Sequence, residues 1–411
     1  MTRQASADNG LKVFVPPRDV VEPAFADNNI PVFFGCDDAF LPHAVTAAAS
    51  MLEHASPENN YDIFIVQWGA SREKMARAAE WIRRYPNASL RFIDIAGAVD
   101  LVGREDFQVT RAYGLAIYFR FFAPSLFPRY DRIVYLDSDM VLFGDVAELY
   151  HCDLGPNLLA ACHDCVMEEQ SLRNPSLGAY WREQLGKEPG EGYFNSGCLV
   201  MDLAGLRRED VEAGLFEKMR RIRGTQLPDQ DVLNAVLNGK VRYVGGEWNY
   251  PDWMADPVEE GSGFGLVSAE MREAIRRNRE KVKILHYCEK KPWTADYTGK
   301  NDAYYWLFAA LTPFYGETVA RLNAGCARNR LAGRYLLLTL QEGNFLLRSL
   351  FASAEEKGKY ASRRRNVAQR RRALVGQMRR MGHFGLGAGT GERLHPKGRM
   401  AVVIRGEEHG K

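Results

Sequence analysis

The sequence predicts an α/β fold built on a mainly parallel sheet with helices on both faces. From residue 31 onward, short apolar runs alternate with helical stretches, which is the β-α-β order of such folds. The runs are continuously apolar instead of alternating, as expected for strands with both faces buried. The strands predicted first are "PVFFGCDD", "YDIFIVQW", "SLRFIDI" and "RIVYLD", with helices at "HAVTAAASMLEHA", "REKMARAAEWIRRY" and residues 111–122.

The second half of the same domain is less regular. Its predicted strands are "NLLAACHD", "YFNSGCLVMDL", "KVRYVGG" and "KVKILHYC", with a helix at "DQDVLNAVLNG". We therefore expect one α/β domain over residues 30–300, preceded by a flexible leader at 1–29 that is rich in Pro, Asp and Asn. A helical C-terminal extension at 301–380 and a flexible Gly-rich tail at 381–411 complete the prediction.

Composition is that of a soluble globular protein with a substantial core: 411 residues, 46% apolar and 26% charged. The seven cysteines are odd in number and lack a disulfide-type framework, so we expect reduced thiols and a cytoplasmic location. The first residues lack a signal-peptide pattern, and no stretch approaches the roughly 18 uncharged apolar residues of a membrane span.

The C-terminal extension is strongly basic. Residues 351–380 hold ten Lys and Arg against two Glu, and the arginines cluster between Arg363 and Arg380. One interpretation is peripheral contact with an anionic membrane surface on the inner face of the cell membrane, and another is a solvated tail. Nucleic-acid binding is not expected, because no aromatic residues are interleaved with the cluster.

Two carboxylates follow a predicted buried strand, where ligands bind in open α/β sheets. Asp137 and Asp139 come directly after "RIVYL", and residues two apart in an extended chain point the same way. Two carboxylates at one spot repel unless a cation holds them, which predicts Mg²⁺, Mn²⁺ or Ca²⁺. The same D-x-D motif recurs at Asp229 and Asp231, so solvated acidic residues in a turn remain an alternative to a metal site.

Other predicted strand ends carry groups that suit the same ligand. His286 ends "KVKILH" and is a candidate third ligand that favours Mn²⁺, although a structural histidine is the alternative. Lys290 and Lys291 can meet a diphosphate, or can be a solvated pair before a turn. Asp37 and Asp38 end the first strand, where they suit hydrogen bonds to a base or ribose, or the capping of a helix.

Taken in order, seven motifs resemble those of glycosyltransferase family 8, which includes bacterial lipopolysaccharide galactosyl- and glucosyltransferases and glycogenin. The motifs are FFGCDD, AIYFRFF, RIVYLDSD, AACHD, YFNSGCLVMDL, LPDQDVLN and HYCEKKPW, and the likeness covers residues 31–295. The resemblance implies a nucleotide-diphospho-sugar transferase fold of the GT-A, Rossmann-like type. It also implies a UDP-hexose donor, Mn²⁺ (with Mg²⁺ as the other candidate), and retention at the anomeric carbon.

The resemblance also implies a role for each matching residue. The metal ligands would be Asp137, Asp139 and His286. The donor nucleotide and diphosphate would be bound by Asp37, Asp38, Asp137, Ser138 and Lys291. Arg120 would reach both the donor nucleotide and the donor sugar, and as a catalytic residue it would help to stabilise the leaving diphosphate. The donor sugar would be bound by Asp164, Asn195 and Asp229, with Gln230 facing the anomeric carbon.

One motif departs from the family. In the family this motif is usually H-Y-x-G-x-x-K-P-W. This chain has the shorter H-Y-C-E-K-K-P-W, with Glu289 where a glycine is common. A glycine lets the backbone approach phosphate closely, and glutamate adds bulk and negative charge. Lys290 is therefore a candidate substitute for Lys291.

The expected activity is metal-dependent, retaining transfer of glucose or galactose from a UDP-sugar to lipopolysaccharide or another surface glycan. Gln230 is an amide and a poor nucleophile, which favours front-face transfer, with Asp229 as the alternative nucleophile. A zinc site at Cys162, His163 and Cys165 is not expected, because no second paired set follows. Two alternatives remain: a catalytically silent nucleotide-sugar-binding scaffold and a self-glucosylating enzyme.

Overall fold

The computed structural model describes residues 11–328, except 17, 110–113, 226, 255–272, 274–276, 278, 298 and 300, together with seven isolated residues between 359 and 370. Side chains are described for these residues except 254 and 324–328. The described chain forms two compact units, the first comprising residues up to Glu289 with Asn301–Phe314. The second comprises residues 290–299 and those from Tyr315 onward. The predicted tail at 381–411 and most of the basic cluster lie outside the described residues.

The described strands of the first unit form an eight-stranded and a three-stranded sheet. They are β1 (Val13–Phe14), β2 (Asn29–Asp37), β3 (Asn60–Trp68), β4 (Ala88–Asp94), β5 (Arg132–Leu136), β6 (Met140–Leu142), β7 (Leu159–His163), β8 (Phe194–Asp202), β9 (Val241–Val244), β10 (Tyr250–Pro251) and β11 (Ile284–His286). The large sheet has the order β1-β4-β3-β2-β5-β8-β7-β9, and the small sheet has the order β10-β11-β6. In the large sheet only β8 pairs antiparallel with its neighbours, so the predicted mixed, mainly parallel sheet is confirmed.

Helices cover both faces of the large sheet. Those of the first unit are α1 (Leu41–Glu53), α2 (Arg72–Trp81), α3 (Ala96–Val102), α4 (Ala123–Leu126), α5 (Val146–Tyr150), α6 (Cys165–Arg173), α7 (Pro175–Tyr180), α8 (Leu203–Arg208), α9 (Val211–Arg221), α10 (Pro228–Val236) and α11 (Asp302–Ala309), and α12 (Tyr315–Arg328) belongs to the second unit. Where a helix was predicted at 111–122, the described part is a 3₁₀ helix, Leu115–Phe122. Among the described residues, no helix combines the length and apolar character that crossing a membrane requires.

Alternate residues of β2 show how the sheet separates two cores. Val32 and Phe34 pack in the core that contains α1 and α2. Phe33 packs on the opposite face with the aromatic 3₁₀ helix and with residues of α8, α9 and α10. Since side chains alternate across a strand, a continuously apolar strand supplies both cores, which is why β2 is buried along most of its length.

Part of the segment predicted to be a flexible leader belongs to the sheet edge. β1 pairs in parallel with β4. Just after β1, the backbone N–H of Ala24 donates to Asp62 Oδ2 at 3.0 Å, and Arg91 donates to the carbonyl of Glu22 at 2.6 Å. Asp62 and Arg91 themselves form a buried ion pair. These partners lie far along the chain, so the composition of the leader does not reveal them.

Candidate active site

Three predicted metal ligands are brought together by the pairing of the small sheet. Asp137 and Asp139 lie in the connection from β5 to β6, and β6 runs antiparallel to β11 with Met140 opposite His286. The backbone of this connection is held at both ends. The N–H of Asp137 donates to the backbone carbonyl of Gly197 at 2.8 Å, and the N–H of Tyr287 donates to the backbone carbonyl of Asp139 at 2.9 Å. Candidate ligand atoms of the two aspartates and of His286 lie within 4.8 Å of one another. Ser138 and Asp139 form a turn, not the extended backbone that we expected to align the carboxylates.

The electrostatics of this group suit a divalent cation. His286 Nε2 lies 3.2 Å from Asp139 Oδ1 and 3.7 Å from Asp137 Oδ2, and the imidazole is buried. Two carboxylates and an imidazole are ligands that several divalent ions accept, Mn²⁺ and Mg²⁺ among them. Without a cation, the two negative charges would repel each other in a partly buried site. The residues therefore fit a metal ion, although they do not select a single one.

Arg120 orients the first of these carboxylates. Asp137 Oδ1 accepts hydrogen bonds from Arg120 Nη2 at 2.8 Å and from the Tyr135 hydroxyl at 2.5 Å, while Oδ2 is the oxygen that faces His286. The guanidinium is 2% exposed and also donates to the carbonyl of Ser196. Burial alone would lower the pKa of Arg120, but the nearby carboxylates raise it overall, so the side chain stays charged.

The predicted sugar-binding residues form a hydrogen-bonded chain that is buried at Asp229 and Gln230 and half-buried at Asp164 and Asn195. Gln230 Nε2 donates to Asp164 Oδ2 at 2.9 Å, and Asn195 Nδ2 lies 3.4 Å from the same oxygen. The side-chain carbonyl of Gln230 accepts a hydrogen bond from the backbone N–H of Ser196 at 3.0 Å, and the Ser196 hydroxyl donates to Asp229 Oδ2 at 2.9 Å. Burial raises the pKa of both Asp164 and Asp229 above the ordinary aspartate value.

Asp229 and the metal group are linked through Arg120. Arg120 Nη1 lies 3.5 Å from Asp229 Oδ2, on the same guanidinium that binds Asp137. Asp231 points elsewhere and accepts hydrogen bonds from Tyr180, Tyr193 and Thr225 at 2.6–2.8 Å. Only the first aspartate of this second D-x-D therefore belongs to the candidate site.

The acidic pair at the end of β2 has local partners. Asp37 is exposed, and its Oδ1 accepts from the backbone N–H of Phe40 at 2.9 Å, at the entry to α1. Asp38 accepts from Ser71 N–H at 2.9 Å and pairs with Lys74 Nζ at 2.8 Å. Both carboxylates therefore have partners within the protein, and nucleoside binding by this pair stays a prediction.

Ser138 and the two lysines complete the predicted set. The Ser138 hydroxyl donates to the carbonyl of Gly35 at 3.1 Å. Lys290 and Lys291 belong to the second unit, where Thr294 closes a turn onto the carbonyl of Lys291 through its N–H at 2.9 Å and its hydroxyl at 2.7 Å. Their contact with a diphosphate also stays a prediction.

Gly197 and Asn249 are part of the site and were missed in the sequence. A Cβ on Gly197 would lie 2.6 Å from His286 Cε1 and 2.7 Å from Asp137 Oδ2, so a larger residue would displace these two candidate ligands. Glycine inside a strand is a recognised sign of close approach, and this signal was available in "YFNSGCLV". Asn249 Oδ1 lies 2.8 Å from His286 Nδ1, in an irregular segment that carries no sequence pattern.

The cysteine-rich "ACHDC" segment has structural contacts. Cys162 donates to the carbonyl of Gly245 with an S···O distance of 3.3 Å, and His163 Nδ1 lies 2.6 Å from a carboxylate oxygen of Glu168. Within the described part of the chain, Asp137, Asp139 and His286 are the one group of three potential metal ligands.

Residues 31–296, more than half of the chain, match the family model described as Glycosyl transferase family 8. The chain belongs to this family. The predicted family and the prediction of a glycosyl-transferring enzyme are therefore confirmed.

Curated relatives and solved structures agree with this assignment. The lipopolysaccharide 1,2-glucosyltransferase of Escherichia coli (strain K12) is 30% identical over 200 residues, which cover 45% of this chain and 51% of that protein. The lipopolysaccharide 1,3-galactosyltransferase of Salmonella typhimurium (strain LT2) is 26% identical over 226 residues, covering 53% and 62%. These relatives support the hexosyltransferase class, although the chain spans only about half to two thirds of their length.

The apo structure of the WbbM bifunctional glycosyltransferase superposes with a TM-score of 0.65 at 28% identity. The match covers 74% of this chain and 53% of that one. It confirms the predicted GT-A-type fold.

Proposed function

We propose that the protein transfers glucose or galactose from a UDP-sugar to a glycan acceptor, with retention at the anomeric carbon. The acceptor we propose is lipopolysaccharide or another cell-surface polysaccharide, in keeping with the two lipopolysaccharide relatives. The observation that carries the proposal is that Asp137, Asp139 and His286 converge, and that Arg120 links them to the buried polar chain around Gln230.

We propose Mn²⁺ as the metal, with Mg²⁺ as the other candidate, because an imidazole ligand shifts preference toward Mn²⁺. Asp137, Asp139 and His286 would hold the ion. When bound, it would neutralise charge that gathers on the diphosphate as the sugar leaves. Arg120 would contribute by fixing the Asp137 carboxylate, since the guanidinium is fully engaged with protein groups and carries its own positive charge.

Front-face transfer is favoured by the way Gln230 is held. Its Nε2 donates to Asp164 and its carbonyl accepts from Ser196, so the amide is fixed and offers no free nucleophilic atom. In this route, the bond from the anomeric carbon to the departing phosphate oxygen breaks as the acceptor oxygen bonds on the same face. The acceptor proton passes to that phosphate oxygen. Asp229, the alternative nucleophile, accepts from Ser196 and lies 3.5 Å from Arg120, both of which weaken its nucleophilicity.

The remaining predicted residues take binding roles in the proposal. Asp164 and Asn195 would bind donor-sugar hydroxyls, and Asp37, Asp38 and Ser138 the nucleoside side of the donor. Lys290 or Lys291 would meet the diphosphate. We further propose that the Arg363–Arg380 cluster contacts an anionic membrane, which co-sedimentation with phosphatidylglycerol and phosphatidylcholine vesicles at low and high salt would test.

The donor site is tested by titrating UDP into the purified protein with and without Mn²⁺. We expect Mn²⁺ to tighten UDP binding on the order of 100-fold, because the cation is the largest local charge for a diphosphate. Asp139→Asn should abolish this gain. Asp153→Asn is the matched control, since Asp153 is exposed and only caps its own loop, with Gly155 N–H donating to it at 2.9 Å.

Equal UDP affinity with and without Mn²⁺, or an unchanged metal effect in Asp139→Asn, would contradict the proposal. If the donor site is confirmed, release of UDP from UDP-glucose and from UDP-galactose, measured separately without acceptor, will identify the preferred sugar.

A further inference from the structure

Two asparagine side chains connect a backbone N–H to the histidine of the metal group. The N–H of Gly197 donates to Asn195 Oδ1 at 3.0 Å. A backbone N–H can only donate, so the Asn195 atom that faces it must be the carbonyl oxygen. The amide of Asn195 cannot turn over without losing this bond, and its Nδ2 therefore stays on the side of Asp164.

The orientation of Asn249 follows from that of Asn195. An atom of the Asn249 amide lies 2.7 Å from Asn195 Oδ1, and it must be Nδ2, because an acceptor needs a donor. The carbonyl oxygen of Asn249 is then the atom that lies 2.8 Å from His286 Nδ1. A carbonyl oxygen only accepts, so His286 Nδ1 must carry a hydrogen.

Both members of this last contact are enclosed by protein. Asn249 is 5% exposed and His286 is 3% exposed, so water has little access as an alternative partner. The backbone is fixed as well, since β10 begins at the residue after Asn249 and pairs with β11, placing Tyr250 opposite Leu285. The amide of Asn249 is therefore held against the imidazole by the sheet.

We propose that Asn195 and Asn249 form an amide relay that fixes His286 as the Nδ1–H tautomer, so that Nε2 is presented as a metal ligand. In this tautomer, Nε2 carries no hydrogen, and its lone pair is available to a cation shared with Asp139 Oδ1 and Asp137 Oδ2, which lie 3.2 Å and 3.7 Å from Nε2. Asn249 is thus a positioning residue that acts through His286. The proposal rests on the proposed metal site, and it ties the imidazole to the polar chain of Asp164 and Gln230.

Two substitutions of one residue separate the relay from a merely structural role. Asn249→Asp keeps an acceptor for the imidazole N–H but loses the donor to Asn195, whereas Asn249→Leu has similar size and neither group. We expect Asn249→Leu to weaken Mn²⁺ binding about 10- to 100-fold, the usual cost of losing such a partner, while Asn249→Asp loses less affinity than Asn249→Leu because the imidazole N–H keeps its acceptor. Isothermal titration with Mn²⁺ alone gives the affinities, and melting temperatures show whether each variant is folded.

The tautomer itself is measured without metal. In protein labelled with ¹⁵N-histidine at pH 8, imidazole ¹⁵N shifts report which nitrogen carries hydrogen, and the spectrum of His286→Gln identifies the signals of His286. We expect the Nδ1–H form in the wild type and a shift toward Nε2–H in Asn249→Leu.

A wild-type His286 with no hydrogen on Nδ1, or equal loss of Mn²⁺ affinity in Asn249→Asp and folded Asn249→Leu, would overturn the relay. If the wild type has the Nδ1–H form but binds no Mn²⁺, the relay stands and the proposed metal site fails.

Discussion

The chain contains two D-x-D sequences, and their aspartates behave in opposite ways. At 137–139 the carboxylates converge on one imidazole, with candidate ligand atoms within 4.8 Å of one another. At 229–231 they diverge: Asp229 contacts Ser196 and Arg120, while Asp231 accepts from Tyr180, Tyr193 and Thr225. The same sequence motif therefore contributes to a candidate metal group in one place and supplies a buried structural hydrogen-bond acceptor in the other.

The local backbone explains the difference. Asp229 and Asp231 lie in the first turn of α10, where each residue advances about 100° around the axis, so residues two apart point about 200° apart. Asp137 and Asp139 lie in a turn between strands of two different sheets, and both ends of that turn are hydrogen-bonded to other segments. Whether a D-x-D can bind a metal therefore depends on the backbone conformation beneath it.

The largest expected effect concerns stability and the second motif. In Asp231→Ala, three buried or partly buried hydroxyls would lose their shared acceptor, so we expect the free energy of unfolding to fall by about 3–5 kcal/mol. Asp139→Asn should change it by less than about 1 kcal/mol, since it removes one of two neighbouring like charges. Urea denaturation followed by tryptophan fluorescence measures both.

Repeating the Mn²⁺ titration on folded Asp231→Ala further distinguishes the roles of the two motifs. Mn²⁺ binding should persist there, because Asp231 points away from the metal group. An unchanged free energy of unfolding in Asp231→Ala, or a loss of Mn²⁺ binding comparable to that in Asp139→Asn, would contradict the contrast between the motifs.

The next effect concerns the space that the first motif needs. Gly197→Ala would place a methyl group 2.6–2.7 Å from His286 Cε1 and Asp137 Oδ2, closer than atoms can pack. We expect Mn²⁺ affinity to fall on the order of 100-fold, because the ligands must move apart and catalytic metal geometry tolerates little displacement. Titration of Mn²⁺ into the folded variant measures this loss.

Gly214→Ala is the matched control for that substitution. Gly214 lies in α9, where an added Cβ would be 3.6 Å from a methyl group of Val236, an ordinary contact. Alanine is the better helix former, so this variant should be more stable by about 0.5–1 kcal/mol with Mn²⁺ binding unchanged. If Gly197→Ala also binds Mn²⁺ normally, the close packing inferred at the site is wrong.

Most of the sheet was predictable because its strands carry their own signal. β2, β3 and β5 are continuously apolar and are buried on both faces. Burial on both faces can be predicted from such a run alone. β1 could not be predicted, since it has two residues and depends on its pairing with β4. A short edge strand is defined by its neighbours.

In the candidate site, the residues at the ends of apolar strands were predicted from the sequence. Residues that act by positioning another side chain were not. Asp137 and His286 follow or end apolar strands, which identified them. Asn249 acts on a residue 37 positions away through a side-chain contact, and nothing in its neighbourhood indicates this. The divergence of Asp229 and Asp231, by contrast, was available from the helix predicted at "DQDVLNAVLNG".

The smallest expected effect is the dependence of stability on pH that Asp229 causes. Burial raises the pKa of Asp229 in the folded protein, although the charge of Arg120 opposes the shift. A raised folded pKa means that the native state binds more protons. The stability contributed by protonated Asp229 is therefore present below the unfolded pKa of about 3.9 and is lost as pH rises through the folded value.

Asp229→Asn removes this titration and keeps an acceptor for the Ser196 hydroxyl. The stability of the wild type relative to Asp229→Asn should therefore decrease from pH 4 toward neutral pH, as measured by urea denaturation at intervals of half a pH unit. A relative stability that instead increased with pH would mean that the ion pair with Arg120 outweighs burial. Asp229 would then be a stabilised charge, and the polar chain would resemble the metal group more closely than its buried position indicates.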